Sequence, residues 1–328
     1  MTRKSEGNSE LLATSTDEYR RQPSAYLTDL GAHHAIDHLN FLIIDTHVHL
    51  WDLERVQLAW LDLGGKSDTT GLDRSFLMED YLAAVRQQKV TTIIYMEVNV
   101  IQPDQQEEAE YVLDLCGRDD NPLQAAVMSG YPQDPDFRSY IEPFVKNAYV
   151  KGVRTVLHDP DRPRGMCLSK EFIQGCRVLG ELDLSFDLCM RPGELLDAVR
   201  LVDHCPQTRF ILDHCGNMLV TSNDEKVRQQ WEKGIQELAQ RDNVTCKISG
   251  IVASARSDWQ PADLAPVAAF CLDSFGEDRV CFGSDWPVCT IRASYSQWLD
   301  ALKWIVRDRS PEFQKKLFHD NACRIYKL

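Results

Sequence analysis

The amino-acid sequence predicts a single (β/α)8 barrel over residues 41–328, preceded by an extension of residues 1–40. Two observations lead to this prediction. Eight short apolar runs alternate with longer amphipathic segments at a spacing of about 30 residues, the length of a strand–helix–strand unit. Seven of the eight runs end in ionisable or amide side chains, which in such a barrel would gather at the carboxyl ends of the strands.

The eight runs are typical of parallel strands covered on both faces, because each is short and almost continuously hydrophobic. In chain order they are FLIIDTHVHL (41–50), TTIIYMEVNV (91–100), LQAAVMSG (123–130), KGVRTVLH (151–158), LDLSFDLCM (182–190), RFILDHCGN (209–217), NVTCKISGIV (243–252) and RVCFGSDWPV (279–288). An open doubly wound sheet is the alternative. That fold usually carries a glycine-rich phosphate loop after its first strand, whereas the first run here leads into DTHVHLWD, which contains no glycine.

Six further segments carry apolar residues at helical spacing, and several end at glycine, a common helix stop. We predict helices over 78–88, 107–117, 193–205, 262–276, 294–306 and 311–326. The first 40 residues are polar, and we expect a flexible or loosely docked extension there.

The composition is that of an ordinary globular protein, with 43% hydrophobic and 26% charged residues. The formal net charge of −14 is not the basic footprint of a nucleic-acid or membrane-surface protein. No apolar run reaches the roughly 18 residues needed to span a bilayer. We therefore expect a small-molecule substrate and no nucleic-acid or membrane partner, and the composition leaves a homo-oligomer open.

Eleven cysteines are scattered along the chain, and no two of them form a CxxC pair. Several lie inside strand-like runs, which favours reduced, buried thiols that pack as small hydrophobic groups. Such thiols fit a reducing compartment, and the polar N-terminal segment lacks the apolar core of a secretory signal. We expect a cytoplasmic protein.

The first run ends in His47-Val48-His49. Residues two apart in a strand project from the same face, so both imidazoles would point into the barrel mouth, where they could chelate one metal ion. An HxH pair also arises by chance or as two core imidazoles, and the pair alone therefore decides nothing.

Other runs deliver polar groups at the same end: Glu97 and Asn99, Arg154 and His158, Asp187 and Arg191, Asp213 and His214, Lys247 and Ser249, and Asp285 with Trp286. Each has a structural interpretation as well. Asp285 could cap the next helix, His214 could be a buried core residue and Lys247 could reach the surface. The joint placement of His47, His49, His214 and Asp285 on strands one, six and eight favours a functional site.

This constellation resembles the amidohydrolase superfamily, and more narrowly its amidohydrolase 2 branch of lactonases, which includes fuconolactonase, rhamnonolactonase and 2-pyrone-4,6-dicarboxylate hydrolase. The stretches that carry the resemblance are IIDTHVHLWD, KGVRTVLHD, FDLCMRPGEL, RFILDHCGN, VTCKISGIV, DRVCFGSDWPVC and the terminal NACRIYKL, within residues 43–328. The resemblance implies a barrel hydrolase that opens a lactone ring of a sugar lactone or a carboxylated pyrone or muconolactone.

The sequence departs from the binuclear members of that superfamily. Those relatives use a carboxylated Lys or a Glu on strand four and a His on strand five. Here Lys151 precedes strand four, and strand five offers Asp187 and Cys189 but no His. One divalent ion, with zinc preferred, held by His47, His49 and Asp285 remains open, and so does a site without metal.

In the mechanism we expect, Asp285 is the general base that takes a proton from water and passes it to the leaving oxygen. His214 orients water or polarises the carbonyl group. Glu97 is assigned to substrate binding at the barrel mouth. Trp51 and Trp286 could stack on a sugar ring or pack at the mouth, and Trp60 is interpreted as a packing residue.

Arg154, His158, Arg191 and Lys247 would form a positive inner wall in an acidic protein. Unpaired positive charge in a cavity is costly, so this wall predicts a substrate or product that carries carboxylates or many hydroxyls.

Two other functions remain open at this point. One is metal-dependent decarboxylation of an aromatic or unsaturated acid, although relatives with that activity usually add a metal-binding His on strand five. The other is a barrel that binds without turnover, although the clustered polar groups argue against an idle site.

Overall fold

Eight parallel strands form one sheet in which neighbours follow the order of the chain. The computed structural model describes residues 41–61 and 71–328, so the predicted extension, 1–40, lies outside the described residues. The strands are β1 Ile43–Val48, β2 Val90–Met96, β3 Leu123–Ser129, β4 Val150–Val156, β5 Ser185–Cys189, β6 Arg209–Leu212, β7 Val244–Ile248 and β8 Val280–Phe282. All eight predicted strands are confirmed.

A helix follows each strand and covers the outside of the sheet. The main helices are α1 Met78–Ala84, α2 Gln105–Cys116, α3 Phe137–Val145, α4 Lys170–Glu181, α5 Leu195–His204, α6 Glu225–Ala239, α7 Pro261–Phe275 and α8 Tyr295–Ile305. The chain then continues through α9 Pro311–Lys315, a π-helical turn Lys316–Asp320 and α10 Asn321–Tyr326. The six predicted helices are present, and α3, α4 and α6 are additional.

Backbone contacts between the first and last strands close the barrel, and we call this junction the seam. Val48 pairs with Trp286 in a parallel bridge. The Asp285 amide donates to the carbonyl oxygen of His47 at 2.9 Å, and the His49 amide donates to that of Trp286 at 2.7 Å. The seam therefore runs directly through the residues singled out by the sequence.

A buried carboxyl group also links the two sides of the seam. Asp45 accepts hydrogen bonds from the Ser284 amide at 2.8 Å and from the Tyr81 hydroxyl at 3.0 Å. Burial raises the pKa of Asp45 to about 6, and these hydrogen bonds oppose part of that shift. The contacts hold β1, α1 and the segment after β8 in one arrangement.

Apolar side chains fill the space between strands and helices in one large cluster, with Trp231 and Trp298 fully buried in it. A smaller cluster joins side chains of β2, β3, β6 and β8 to Ile325 and Tyr326 of α10. Arg209, which begins β6, donates to the Ile325 carbonyl at 2.8 Å. The last helix therefore packs at the amino ends of the strands, opposite the predicted site.

The cysteines behave as the sequence predicts. All eleven are free thiols, and only Cys323 is not fully buried. Among the helices that the structure describes, none combines the length and the hydropathy required to cross a membrane.

Candidate active site

Two imidazoles and a carboxylate meet beside the seam. His49 Nε2 lies 3.3 Å and His47 Nε2 lies 3.7 Å from Asp285 Oδ1, and all three residues are buried. Asp285 has a φ of 58°, in the left-handed region that non-glycine residues rarely adopt. Such a backbone conformation, fixed by the seam, is typical of a functional position.

The chemistry of these donors fits a cation. His49 Nδ1 lies 2.9 Å from the Met96 carbonyl oxygen, which can only accept, so Nδ1 carries the hydrogen. In a neutral ring, Nε2 then presents a lone pair to the carboxylate of Asp285. Two acceptors 3.3 Å apart repel unless a metal ion or a proton lies between them. The ligand atoms of His47, His49 and Asp285 also lie within 4.8 Å of one another.

His214 completes the group from the other side of the barrel. Its Nε2 lies 4.0 Å from Asp285 Oδ1 and its Nδ1 lies 3.0 Å from Ser249 Oγ. Burial lowers the pKa of His214, so the ring favours the neutral form. The turn that carries it, His214–Asn217, has positive φ at all four residues.

Gly250 makes room for this ring. A Cβ atom at Gly250 would lie 2.3 Å from His214 Nδ1, and the residue itself has a φ of +68°. Only glycine meets both conditions without displacement of the imidazole.

A layer of buried charges lies behind His47. Asp213 Oδ1 lies 3.4 Å from His47 Nδ1 and 3.2 Å from Lys247 Nζ, and Lys247 Nζ also lies 2.7 Å from Asp187 Oδ2. Burial opposes the charged form of Lys247, but the two carboxylates outweigh it and raise the pKa of the amine. Burial likewise opposes ionisation of Asp213, but Lys247 and His47 hold its pKa well below the usual value.

Arg154 belongs to the same layer. Its Nε donates to Glu97 Oε1 at 2.5 Å and its Nη2 to the Glu97 carbonyl oxygen at 2.6 Å. Its Nη1 lies 3.5 Å from Asp213 Oδ2 and 3.3 Å from His47 Nε2. The guanidinium group is therefore neutralised by buried carboxylates and lies against the His47 ring.

The predicted positive wall needs a correction. Lys247 and Arg154 are neutralised by buried carboxylates, and Arg191 pairs with Glu194 at 3.1 Å. His158 is an exposed residue of the cavity wall. The partners of Lys247 and Arg154 come from other strands, which spacing along the chain does not reveal, whereas Glu194 lies only three residues after Arg191.

A cavity of about 510 Å³ opens above these groups, a volume suited to a small molecule. Of the predicted site residues, His49, Arg154, His158, His214 and Asp285 line it. Other walls come from Trp60, Val98, Asn99, Val156, Asp159, Pro160, Cys189, Asn217, Leu219, Gly250, Ala253, Ser254 and Val288.

The structure places the other predicted substrate contacts elsewhere. Glu97 and Lys247 lie in the buried charge layer, and Arg191 holds the carbonyl oxygens of Asp159 and Arg162. Trp51 and Trp286 are 1% and 3% exposed, and both rings pack edge-on against Phe76. Stacking of a sugar on these two rings is not supported.

Two residues gained importance from the structure. Trp60, which the sequence analysis interpreted as a packing residue, lines the cavity. Its Nε1 donates a hydrogen bond to the Val98 carbonyl oxygen at 2.7 Å. Asp213 was noted only as a strand end, yet it joins His47, Lys247 and Arg154. Its position directly before His214 was the available signal.

A (β/α)8 barrel that gathers three imidazoles and a carboxylate at the carboxyl ends of its strands defines an enzyme. The chain belongs to the amidohydrolase family, whose sequence model matches residues 44–328.

Named relatives cover most of the chain. It is 28% identical over 301 residues to an uncharacterized protein of Sinorhizobium fredii, which covers 87% of this chain and 98% of that protein. It is 25% identical over 297 residues to an L-fucono-1,5-lactonase of Burkholderia multivorans, with 88% and 96% coverage. A zinc-bound crystal structure of an amidohydrolase from Burkholderia multivorans superposes with a TM-score of 0.77 at 24% identity, covering 88% of this chain and all of that one.

Proposed function

We propose that this enzyme hydrolyses a lactone, with Asp285 as the general base. The observation that carries the proposal is the convergence of His47, His49 and His214 on one oxygen of Asp285, at distances of 3.7, 3.3 and 4.0 Å, below a cavity. The relatives named L-fucono-1,5-lactonase support the same reaction class.

The reaction needs a water molecule to attack the carbonyl carbon while the base removes a proton from it. Asp285 accepts that proton, and the tetrahedral intermediate then collapses with cleavage of the ring C–O bond. The same carboxyl group returns the proton to the departing ring oxygen, which leaves a hydroxy acid and an unchanged enzyme. His214 donates a hydrogen bond to the carbonyl oxygen as negative charge develops on it.

One divalent ion, preferably zinc, would be held by His47, His49 and Asp285. When bound, it would polarise the carbonyl group and lower the pKa of a water molecule. The group formed by His47, Asp213 and His214 also has ligand atoms within 4.8 Å, but Asp213 already neutralises Lys247 and Arg154. The zinc-bound Burkholderia structure supports a metal here. A metal-free reaction, with a proton between His49 and Asp285, remains the alternative.

Replacement of Asp285 by Asn tests the base. We expect kcat/KM for a panel of lactones to fall by about 10²-fold to 10⁴-fold, the usual contribution of general acid–base catalysis. Release of acid into a weakly buffered indicator solution measures the rate. Asp159→Asn, which removes a carboxylate from the same cavity wall, is the matched control. An Asp285→Asn enzyme that keeps the parent rate would refute the assignment, and carbon dioxide release instead of acid would indicate decarboxylation.

Chelation tests the metal. After dialysis against a strong chelator we expect kcat/KM to fall at least tenfold and to recover when zinc is added. Elemental analysis before and after dialysis shows whether one ion per chain is lost. Full activity in a preparation free of metal would instead favour the proton between His49 and Asp285.

A further inference from the structure

Six apolar side chains line the active-site cavity: Trp60, Val98, Val156, Leu219, Ala253 and Val288. The Trp60 ring is fixed by its hydrogen bond to Val98, and the Trp51 ring packs edge-on against it at 5.7 Å. Leu219 remains 54% exposed although it lines the cavity. Trp60 and Leu219 therefore offer apolar surface to a ligand that enters the cavity.

The lining residues that the structure describes include no uncommitted Lys or Arg side chain for an anionic substituent. Among the described lining residues, Arg154 is the one Lys or Arg side chain, and the carboxylates of Glu97 and Asp213 neutralise it. The acids among the described lining residues are Asp285 and Asp159. Among these residues, a substrate carboxylate would therefore meet two acids and no free Lys or Arg side chain.

The neutral polar side chains on the remaining walls are largely used within the protein. Asn217 Nδ2 donates to the Met190 carbonyl oxygen at 2.9 Å, and Ser254 Oγ donates to that of Ile251 at 2.9 Å. Asn99 Nδ2 faces Asp159 Oδ2 at 3.5 Å. A ring with many hydroxyl groups would find few donors that are not already committed.

We propose that the substrate is a neutral lactone that carries an apolar substituent, which packs against Trp60 and Leu219 while the ring carbonyl lies beside Asp285. This inference rests on the proposed lactone hydrolysis and adds the chemical class of the substituent. Carboxylated lactones should be poor substrates, in contrast to the expectation from the supposed positive wall.

Matched lactones test the proposal directly. We would compare a γ-lactone with a pentyl chain, the same ring with a carboxyethyl chain, and a sugar lactone, using the unaltered enzyme and release of acid. We expect kcat/KM for the pentyl lactone to exceed the other two at least tenfold. An equal or reversed preference would overturn the inference.

Binding of ketones separates this inference from the reaction itself. Cyclopentanones with the same pentyl and carboxyethyl chains cannot be hydrolysed, and calorimetry gives their Kd. Tighter binding of the pentyl ketone supports the apolar subsite, and tighter binding of the carboxyethyl ketone contradicts it. If the pentyl ketone binds more tightly but no lactone in the panel is opened, the proposed reaction fails and the apolar subsite stands.

A charge introduced at the rim provides a second test. Leu219→Arg adds a cation without touching the imidazoles or Asp285, and Leu219→Gln is the matched neutral control. We expect the Arg variant to lower KM for the carboxyethyl lactone about tenfold relative to the Gln variant, and both variants to raise KM for the pentyl lactone. Equal effects of Arg and Gln on the two substrates would show that Leu219 does not contact the substituent.

Discussion

The position of His214 depends on a backbone that few residues can adopt. Four successive residues from His214 to Asn217 have φ between 52° and 71°, a conformation that costs roughly 1–2 kcal/mol for each non-glycine residue. Opposite them, Gly250 leaves the space that the His214 ring occupies. The site therefore depends on a missing side chain as much as on those present.

Substitution of Gly250 by Ala should displace His214. The added Cβ would lie 2.3 Å from Nδ1 of the imidazole, so the ring must move away from Asp285. We expect kcat/KM to fall by at least tenfold while the protein still folds, as measured by lactone hydrolysis and thermal unfolding.

Gly276→Ala is the control, because Gly276 has a φ of +70° but no atom within 4 Å of the added Cβ. That variant should lose some thermal stability from backbone strain and keep its activity. Similar activities in the two variants would mean that the His214 ring tolerates displacement.

For individual residues, the sequence reveals short contiguous motifs better than it reveals which distant side chains form ion pairs. His47, His49 and Asp285 were predictable because each follows an apolar strand. The partners of Arg154 and Lys247 were not, because Glu97 and Asp187 lie 57 and 60 positions away in the chain. These pairings form only when the barrel closes. The sequence analysis therefore interpreted Arg154 and Lys247, whose charges are neutralised in the fold, as part of a positive wall.

Among the elements, α2 is joined to the end of β2 through a buried acid. Glu108 Oε1 accepts a hydrogen bond from the Val98 amide at 2.8 Å and one from the Tyr95 hydroxyl at 2.9 Å. Burial, together with the charge of Glu97, raises the pKa of Glu108 from 4.5 to about 8. The folded protein therefore favours the protonated acid.

The stability that Glu108 provides should depend on pH. Because its pKa is higher in the folded than in the unfolded state, its contribution is complete below about pH 4.5 and is lost as pH rises toward 8. Glu108→Gln keeps the accepting oxygen and removes the ionisation. We expect denaturant unfolding to give equal stabilities near pH 5 and a more stable Gln variant near pH 9, and parallel pH profiles would contradict this role.

Two of the three helices that were not predicted contain a residue that disfavours helix. The α3 segment contains Pro143, and α4 contains Gly175, where a Cβ would lie 2.1 Å from the Pro132 carbonyl oxygen. Both residues disfavour helix in isolation. The α6 segment differs, because Trp231 and Ile235 recur at helical spacing and mark its buried face in the sequence. Packing against the sheet decides α3 and α4, whereas the strands carry their own apolar pattern.

Lys247 of β7 is 0% exposed and lies between the carboxylates of Asp187, on β5, and Asp213, directly after β6. Removal of one partner from a buried ion pair leaves uncompensated charge, which typically costs about 3–5 kcal/mol. The buried charge layer behind His47 is therefore expected to contribute to the stability of the entire fold.

Lys247→Met should lower the free energy of unfolding by about 3–5 kcal/mol, since Asp187 and Asp213 would lose their cation. Chemical denaturation measures this loss. Lys315→Met is the control, because Lys315 forms a pair of similar length, 2.8 Å, with Asp320, but its side chain is 53% exposed. The control should change stability little, and comparable losses in both variants would show that burial of the ion pair is unimportant.

The hydrogen bonds that close the barrel also hold the reacting groups, since the Asp285 amide binds the His47 carbonyl oxygen and the His49 amide that of Trp286. A slight parting of the first and last strands would separate base from imidazoles while every helix stayed folded. Inactivation by mild denaturant should therefore precede the loss of secondary structure. The rate of turnover then reports whether the first and last strands remain paired.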